Sequence, residues 1–330
     1  MSVSNKIATS PPVTGLDRAM WISLRTTQQE TISQQVLPSA ALSMAIRRAR
    51  AFFMLAKPEI TLMVMISAGF SCLMASDSLN LIVLTHAVLG TGLVAAGAAS
   101  LNQFMERALD GNMRRTSNRP LPAGKLTARA AFVFGISLSV AGTIYLIQFL
   151  NTLTALLGLL TLLSYLFVYT PLKRKTRLCT LIGAFPGAAP ILMGWAAAKN
   201  GLGLEAWLLY VILFLWQFPH FYAIGWLYRE DYARAGMLML PAVDDENGRS
   251  TFRAILISMR LLIVASLVLT FASPRGVLYF PLAIILGLSF YHVAYRASVS
   301  RSKSAAKQLL HASVIYLPLL YLAMLIDKIK

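Results

Sequence analysis

"NQFMERALDGNMRRTSNRP", residues 102–120, follows directly on "LTHAVLGTGLVAAGAASL", residues 84–101. The upstream stretch has the apolar, small-residue character of a membrane-crossing helix. The downstream one runs an amide and two carboxylates into a row of arginines. Asn102, Glu106 and Asp110 are spaced by four. If the helix continues through them, all three project from one face, at the level where the span meets water. This junction decides the fold class: apolar helices whose charged ends carry the chemistry.

Composition extends that reading to the whole chain. Hydrophobic residues make up 57% of the 330 and charged residues 13%, whereas soluble domains carry about 25% charged residues. The expectation is an all-α integral membrane protein, with room for about nine spans of roughly 20 residues each. Nine apolar runs are present, at about 60–76, 80–104, 128–149, 153–170, 179–198, 204–227, 254–272, 277–295 and 308–326. Stretches such as "GTGLVAAGAAS" and "GAFPGAAP" supply the small residues that let membrane helices approach closely. Residues 1–45 are polar and read as a partly disordered N-terminal arm, with 46–330 as a single transmembrane domain. The arm is poor in acids and contains Lys6, Arg18 and Arg25, so a transit peptide is one reading of it. Cys72 and Cys179 lie far apart inside apolar runs without a CxxC pattern, and read as small packing residues.

The formal charge of +17 invites a nucleic-acid reading, but its distribution says otherwise. With the N-terminus placed in the cytoplasm, 25 Lys and Arg fall on that side and four on the other, Arg260 lying within a span. Such a split is the signature of cytoplasmic loops, and it also supports nine spans.

Nearly all the acids share those basic loops. Hard cations such as Mg²⁺ bind through one or two carboxylates and a substrate phosphate, and guanidinium groups bind phosphate bidentately. Asn102, Glu106 and Asp110, followed by Arg114, Arg115 and Arg119, therefore suit a metal–diphosphate site; without function, they anchor a helix end at the interface. Pro120, Pro122 and Gly124 then break the helix. A second cluster spans 216–251, "WQFPHFYAIGWLYREDYARAGMLMLPAVDDENGRST". His220 and Asp231 are eleven apart, about three helical turns along one face if the helix runs on. Arg229, Glu230, Arg234, Asp244 and Asp245 crowd the same loop. The "QF" of 103–104 recurs at 217–218, a hint of duplication. A third element, "YTPLKRKT" at 169–176, brings Lys173 and Arg174, read either as topology signals or as diphosphate contacts. Among the histidines, His86 and His311 read as hydrogen-bonding packers. His220 is the candidate for an acceptor or haem contact. Phe218, Phe221, Tyr222 and Trp226 read as bundle packing, or as rings shielding a carbocation.

Together, "NQFMERALDGNMRRTSNRPLPAG", "YTPLKRKTRLCTLIGAFPGAAPILMGW" and "WQFPHFYAIGWLYREDYARAGMLMLP" resemble the UbiA-type intramembrane prenyltransferase superfamily, and within it the haem-farnesylating branch. The similarity covers roughly 50–325. Asn102, Glu106 and Asp110 match the superfamily's first acidic motif, with Glu where many bacterial members have Asp. In the second motif His220 stands at the usual first aspartate position and Asp231 matches the last. The resemblance implies about nine transmembrane helices around a central cavity. It implies farnesyl transfer from farnesyl diphosphate to a vinyl group of haem B, with water addition, giving haem O for terminal oxidases. It also implies Mg²⁺ on Asn102, Glu106, Asp110 and Asp231, and diphosphate on Arg115, Arg119, Lys173 and Arg174. His220 and Trp226 are the implied haem contacts. A bacterial inner membrane is the expected location, a mitochondrial inner membrane the alternative, and haem A synthase an implied partner. A quinone-precursor or chlorophyllide acceptor, a polytopic transporter and a non-catalytic haem-carrying subunit are the competing readings.

Overall fold

A computed structural model of the chain describes residues 42–272 and 278–329. The expected arm 1–45 lies almost wholly outside them. Two compact units divide the chain, Met1–Ala51 and Phe52–Lys330. In the first, residues 42–51 are helical; the second holds the bundle.

Among the described residues every regular element is helical, and nine helices are long and apolar enough to cross a membrane. They are α1 Pro58–Ala75, α2 Leu81–Gly111, α3 Ala128–Phe149 and α4 Thr152–Leu172. After these come α5 Cys179–Lys199, α6 Leu204–Leu227, α7 Arg249–Ala272, α8 Tyr279–Ser300 and α9 Lys303–Ile329. The starts are written in local chemistry. Pro58 opens α1 at a position whose N–H has no helical partner. Asn80, Thr127 and Asn151 cap α2, α3 and α4 by accepting the backbone N–H groups of Ile82 and Val83, Ala130, and Thr154.

The spans agree in number with the apolar runs and overshoot them at the charged ends. Helix α2 runs to 111 instead of 104, α7 starts at 249 instead of 254, and α9 at 303 instead of 308. Hydropathy sees only the apolar part of a helix. Asp244 explains the early start of α7: its carboxylate accepts the Thr251 N–H at 2.6 Å, and Asp245 accepts that of Arg249 at 3.0 Å. Burial opposes the charge on Asp244, but the Thr251 bonds outweigh it and lower its pKa. These two acids of the second cluster therefore serve a helix start. A further departure lies in α4, whose Ser164–Tyr169 segment is π-helical. Such a widened turn shifts the register of everything beyond it.

Packing follows small residues and buried aliphatics. The core is led by Ile191 of α5, Leu209 and Ile212 of α6, Ile255, Met259 and Leu262 of α7, and Leu317 and Leu320 of α9. Helix α1 lies so close to α5 that a Cβ on Gly194 would stand 1.9 Å from the Ala68 carbonyl oxygen. The Ser71 hydroxyl donates to the Ile191 carbonyl oxygen at 2.6 Å in the same seam. Loop contacts put the connections after α2, α4, α6 and α8 at one end of the bundle, here termed the basic face. Leu238 N–H donates to the Lys173 carbonyl at 2.7 Å, Arg115 N–H to Asp231 at 3.2 Å, and Lys303 to Glu230 at 2.8 Å.

The α1–α5 seam yields the first prediction. Gly194→Ala forces backbone apart and should destabilise the folded protein by about 1–3 kcal/mol. Gly201→Ala, where the new methyl would meet only the Lys199 carbonyl oxygen at an ordinary 3.8 Å, should stay within about 0.5 kcal/mol of wild type. Thermal unfolding of the two variants in one detergent measures the difference.

Candidate active site

Helix α2 carries the acids into the protein instead of ending before them. Asn102, Glu106 and Asp110 are all buried, Asp110 to 1% exposure. A buried carboxylate needs a cation, and each acid has one. Lys173 Nζ, from the loop after α4, meets both Glu106 oxygens at 2.8 and 3.0 Å. Arg119, nine residues on from Asp110, grips both its oxygens at 2.7 and 2.8 Å. Thr116 donates its hydroxyl to the Asp110 carbonyl at 2.8 Å, folding the arginine loop back over the helix end.

The π-helical turn of α4 aims the next group. Thr170 donates to the Tyr165 carbonyl at 2.8 Å and accepts the Asn102 side-chain N–H at 3.1 Å. The Lys173 ammonium also lies 4.7 Å from the Tyr169 ring centre, within cation–π range. Burial alone would favour neutral Lys173. Tyr169 and the Glu106 carboxylate oppose it and hold the pKa above the ordinary lysine value.

One member of the cluster was hidden in the sequence. Lys57, which reads there only as a positive charge before the first span, donates its ammonium to Asn102 Oδ1 at 2.8 Å. Its backbone is left-handed, φ 49°, a conformation non-glycine residues adopt rarely and usually where something requires it. Burial of the ammonium, followed by the charges of Arg119 and Lys173, lowers its pKa to about 7. The available signal was a lone lysine set immediately before Pro58.

Asp231 joins from the other half. Helix α6 stops at Leu227, and the short helix Arg229–Arg234 starts afresh after Tyr228. Asp231 therefore does not continue the face of His220, as an unbroken helix would have it. Its carboxylate accepts the Arg115 backbone N–H at 3.2 Å and Arg234 at 3.1 Å. The Arg115 guanidinium lies over Tyr228 and Tyr232, at 5.0 and 5.6 Å. Beneath, Met113, Cys179, Tyr232, Met237 and Met239 form a hydrophobic floor shared by three loops.

The structure thus brings together Lys57, Asn102, Glu106, Asp110, Arg119 and Lys173, and sets Arg115 and Asp231 beside one another in the neighbouring loops, where Asp231 meets the Arg115 backbone and Arg234. Arg174 is exposed and forms no ion pair among the described residues. His220 packs between spans: its Nδ1 is 2.8 Å from Ser313 Oγ of α9, and its ring stacks on Trp216 at 4.8 Å. Trp226 is buried, with its N–H given to the Arg301 carbonyl at 3.0 Å and its ring against Phe252 and Arg229. Both cysteines are free and buried.

The donor set suits a hard cation: buried oxygens only, each already facing positive charge. Among the described residues no three acidic, histidine or cysteine side chains converge on one point. The arrangement fits Mg²⁺ bound through one or two carboxylates and a ligand's phosphates, and not a closed protein cage.

Residues 62–317 match the UbiA prenyltransferase family. The chain belongs to that family. A relative from Solibacter usitatus, named protoheme IX farnesyltransferase, is 47% identical over 289 residues, covering 84% of this chain and 99% of the relative. The UbiA-family fold is shared with a digeranylgeranylglyceryl phosphate synthase structure, at TM-score 0.72, 16% identity and 86% and 99% coverage. It is shared too with a UbiA homologue from Archaeoglobus fulgidus bound to GPP and Mg²⁺, at TM-score 0.63, 13% identity and 83% and 99% coverage.

In this UbiA-family chain the Glu106–Lys173 pair is open to a direct test. Lys173→Met leaves a buried carboxylate without its cation and should cost about 3–5 kcal/mol. Glu106→Gln combined with Lys173→Met should recover more than half of that. A double-mutant cycle on thermal or denaturant unfolding reads the coupling.

Proposed function

We propose that this chain is a protoheme IX farnesyltransferase, joining the farnesyl group of farnesyl diphosphate to a vinyl group of haem B. The observation that carries the reaction class is the buried cluster at the basic face: Lys57, Arg119 and Lys173 interleaved with Glu106 and Asp110. Such a cluster suits a departing diphosphate. The choice of acceptor rests on relatives of that name at 35–47% identity over most of the chain.

The farnesyl tail lies among the apolar spans and its diphosphate reaches the basic face. Arg119, Lys173 and Arg115 donate to the diphosphate oxygens as the allylic C–O bond breaks, with Lys57 and Arg174 beside them. Both bonding electrons leave with diphosphate, and these fixed cations stabilise the charge where it develops. Mg²⁺ would be held through Asn102 and one or two of the carboxylates Glu106, Asp110 and Asp231, together with the diphosphate itself, and would supply Lewis-acid neutralisation of the leaving group. The vinyl electrons of haem B close on the allylic carbon. The cation left on the haem side takes up water and loses a proton, giving the hydroxyethylfarnesyl group of haem O. Apolar spans keep water from quenching the allylic cation first. His220, a half-buried imidazole fixed by Ser313, is the proposed haem contact. Trp226 is a weaker one, because its polar handle is already taken.

The same reading sets location. Twenty-five basic residues on one side against four on the other support a cytoplasmic N-terminus. A bacterial inner membrane is the proposed site, with haem A synthase, which consumes haem O, as a proposed partner.

Purified protein supplied with haem B, farnesyl diphosphate and Mg²⁺ should form haem O, identified by mass, and a chelator should stop it. Asp110→Ala should lower turnover by about 10²-fold or more. Full turnover in Asp110→Ala would remove the metal and diphosphate assignments. Diphosphate release with a phenolic acceptor, and none with haem B, would move the chain to another branch of the family.

A further inference from the structure

A second cationic site lies outside the acid-rich cluster, in a groove between α7 and α8. The groove has a volume of about 370 Å³ and is lined by Arg249, Arg253, Arg260 and Arg301 together with Phe252 and Ile257. The residues of α7 fall on one stripe. Arg253, Ile257, Arg260 and Val264 follow at steps of four, three and four, which keeps them on one helix face. The apolar residues on and beside the stripe are exposed too: Ile257 between Arg253 and Arg260, and Leu261 and Val264 beyond Arg260.

Topology accounts for three of the four arginines. Arg249, Arg253 and Arg301 stand near helix ends on the basic face, where positive charge is ordinary. It does not account for Arg260. That residue is eleven positions into α7, about 16 Å along its axis, and faces outward from the bundle. Charged residues at such depth face the bundle interior or a partner, because hydrocarbon does not solvate them. The partner seen is only a phenol: Arg260 Nε and Nη2 donate to Tyr291 Oη of α8 at 3.3 and 3.2 Å. Arg253, Arg260 and Arg301 form no ion pair among the described residues; Arg249 has a loose one with Asp245, at 3.7 Å.

Arg301 is held in place by an unusual backbone. It caps α8 in the left-handed region, φ 50°. Its carbonyl accepts the Trp226 indole N–H at 3.0 Å, and its own Nε donates to the Ser298 carbonyl at 3.0 Å. The Trp226 ring in turn fills the space above Gly248, where a Cβ would stand 2.3 Å from the ring and φ is +61°. Trp226 is thus a positioning residue for the groove.

We propose that this groove binds the head group of an acidic phospholipid from the leaflet bordering the basic face, with its acyl chains along Ile257, Leu261 and Val264. Phosphate oxygens match guanidinium forks, and basic pockets between membrane helices suit anionic head groups. None of the groove's lining residues belongs to the diphosphate cluster, and the proposal does not require the prenyl-transfer reading.

Native mass spectrometry on the detergent-solubilised full chain tests it, with phosphatidylglycerol and phosphatidylcholine as probes. Wild type should retain one phosphatidylglycerol at least about tenfold more tightly than phosphatidylcholine, a factor that corresponds to one strong charge-assisted contact. Arg253→Gln/Arg260→Gln should lose that preference. Lys125→Gln/Arg129→Gln, which removes the same charge from exposed positions of the basic face, should keep it. Arg253→Gln alone, at the water-facing end, should weaken it and covers the case in which the double variant fails to fold. Equal retention of the two lipids by wild type would overturn the proposal, as would equal loss in the control pair. Displacement of phosphatidylglycerol by millimolar inorganic phosphate would assign the groove to a free anion, and displacement by haem B to the substrate's carboxylates; either would overturn it.

Discussion

Two carboxylates buried at the end of one membrane helix set the terms for the whole basic face. Glu106 and Asp110 cannot stay charged at that depth without cations. Asp110 takes Arg119 from its own loop, and Glu106 takes Lys173 from the far side of α4. Each pairing fixes a loop. The arginine loop folds back on α2 through Thr116, and the Lys173 loop is passed on to the next through Leu238. Asp231 then closes the circuit by accepting from the Arg115 backbone. The order of these loops is a consequence of charge balance in a place where water cannot supply it.

That balance also shapes what the site does in prenyl transfer. Its acids and bases are already neutralised in pairs, so under the proposed function a diphosphate would bind by competing for Arg119 and Lys173. The carboxylates it uncovers are the proposed ligands for the metal ion that arrives with it. Binding then exchanges ion pairs and leaves little net charge buried, which avoids the cost of desolvating isolated ions. Lys57 adds a cation whose charge burial has already made costly, and which an approaching anion would stabilise.

Periodicity and loop charge were enough to read nine spans, their alternation and the acid-rich helix end, because those features repeat at short range along the chain. The rest depends on long-range contacts. Lys57 reaches Asn102 across 45 residues. The π-helical turn that aims Thr170 has no sequence mark of its own in "SYLFVY". The break at Tyr228 is equally silent: no proline or glycine stands between Leu227 and Asp231, so an unbroken helix was the natural reading. Asp244 and Asp245 read as site acids by proximity, and only the Thr251 and Arg249 amides show them to be caps.

The repeated "QF" now has physical content. Gln103 donates its side-chain amide to the Leu55 carbonyl at 2.8 Å, and Gln217 to the Ala184 carbonyl at 3.0 Å. In each case a glutamine late in a span ties it to the backbone of a neighbouring helix, just before the charged end. The halves then part. Helix α2 runs on through its acids, whereas α6 stops at Leu227 and hands Asp231 to a separate short helix. His220, three residues past Gln217, falls on the α9 side and takes Ser313 and Trp216 as neighbours. An aspartate there would lie among aromatic rings with no cation beside it in the observed contacts. An imidazole can remain neutral in the same place with one hydrogen bond. The first half therefore concentrates charge, and the second relieves one position of it, which is the basis for proposing His220 beside a large, mostly apolar acceptor.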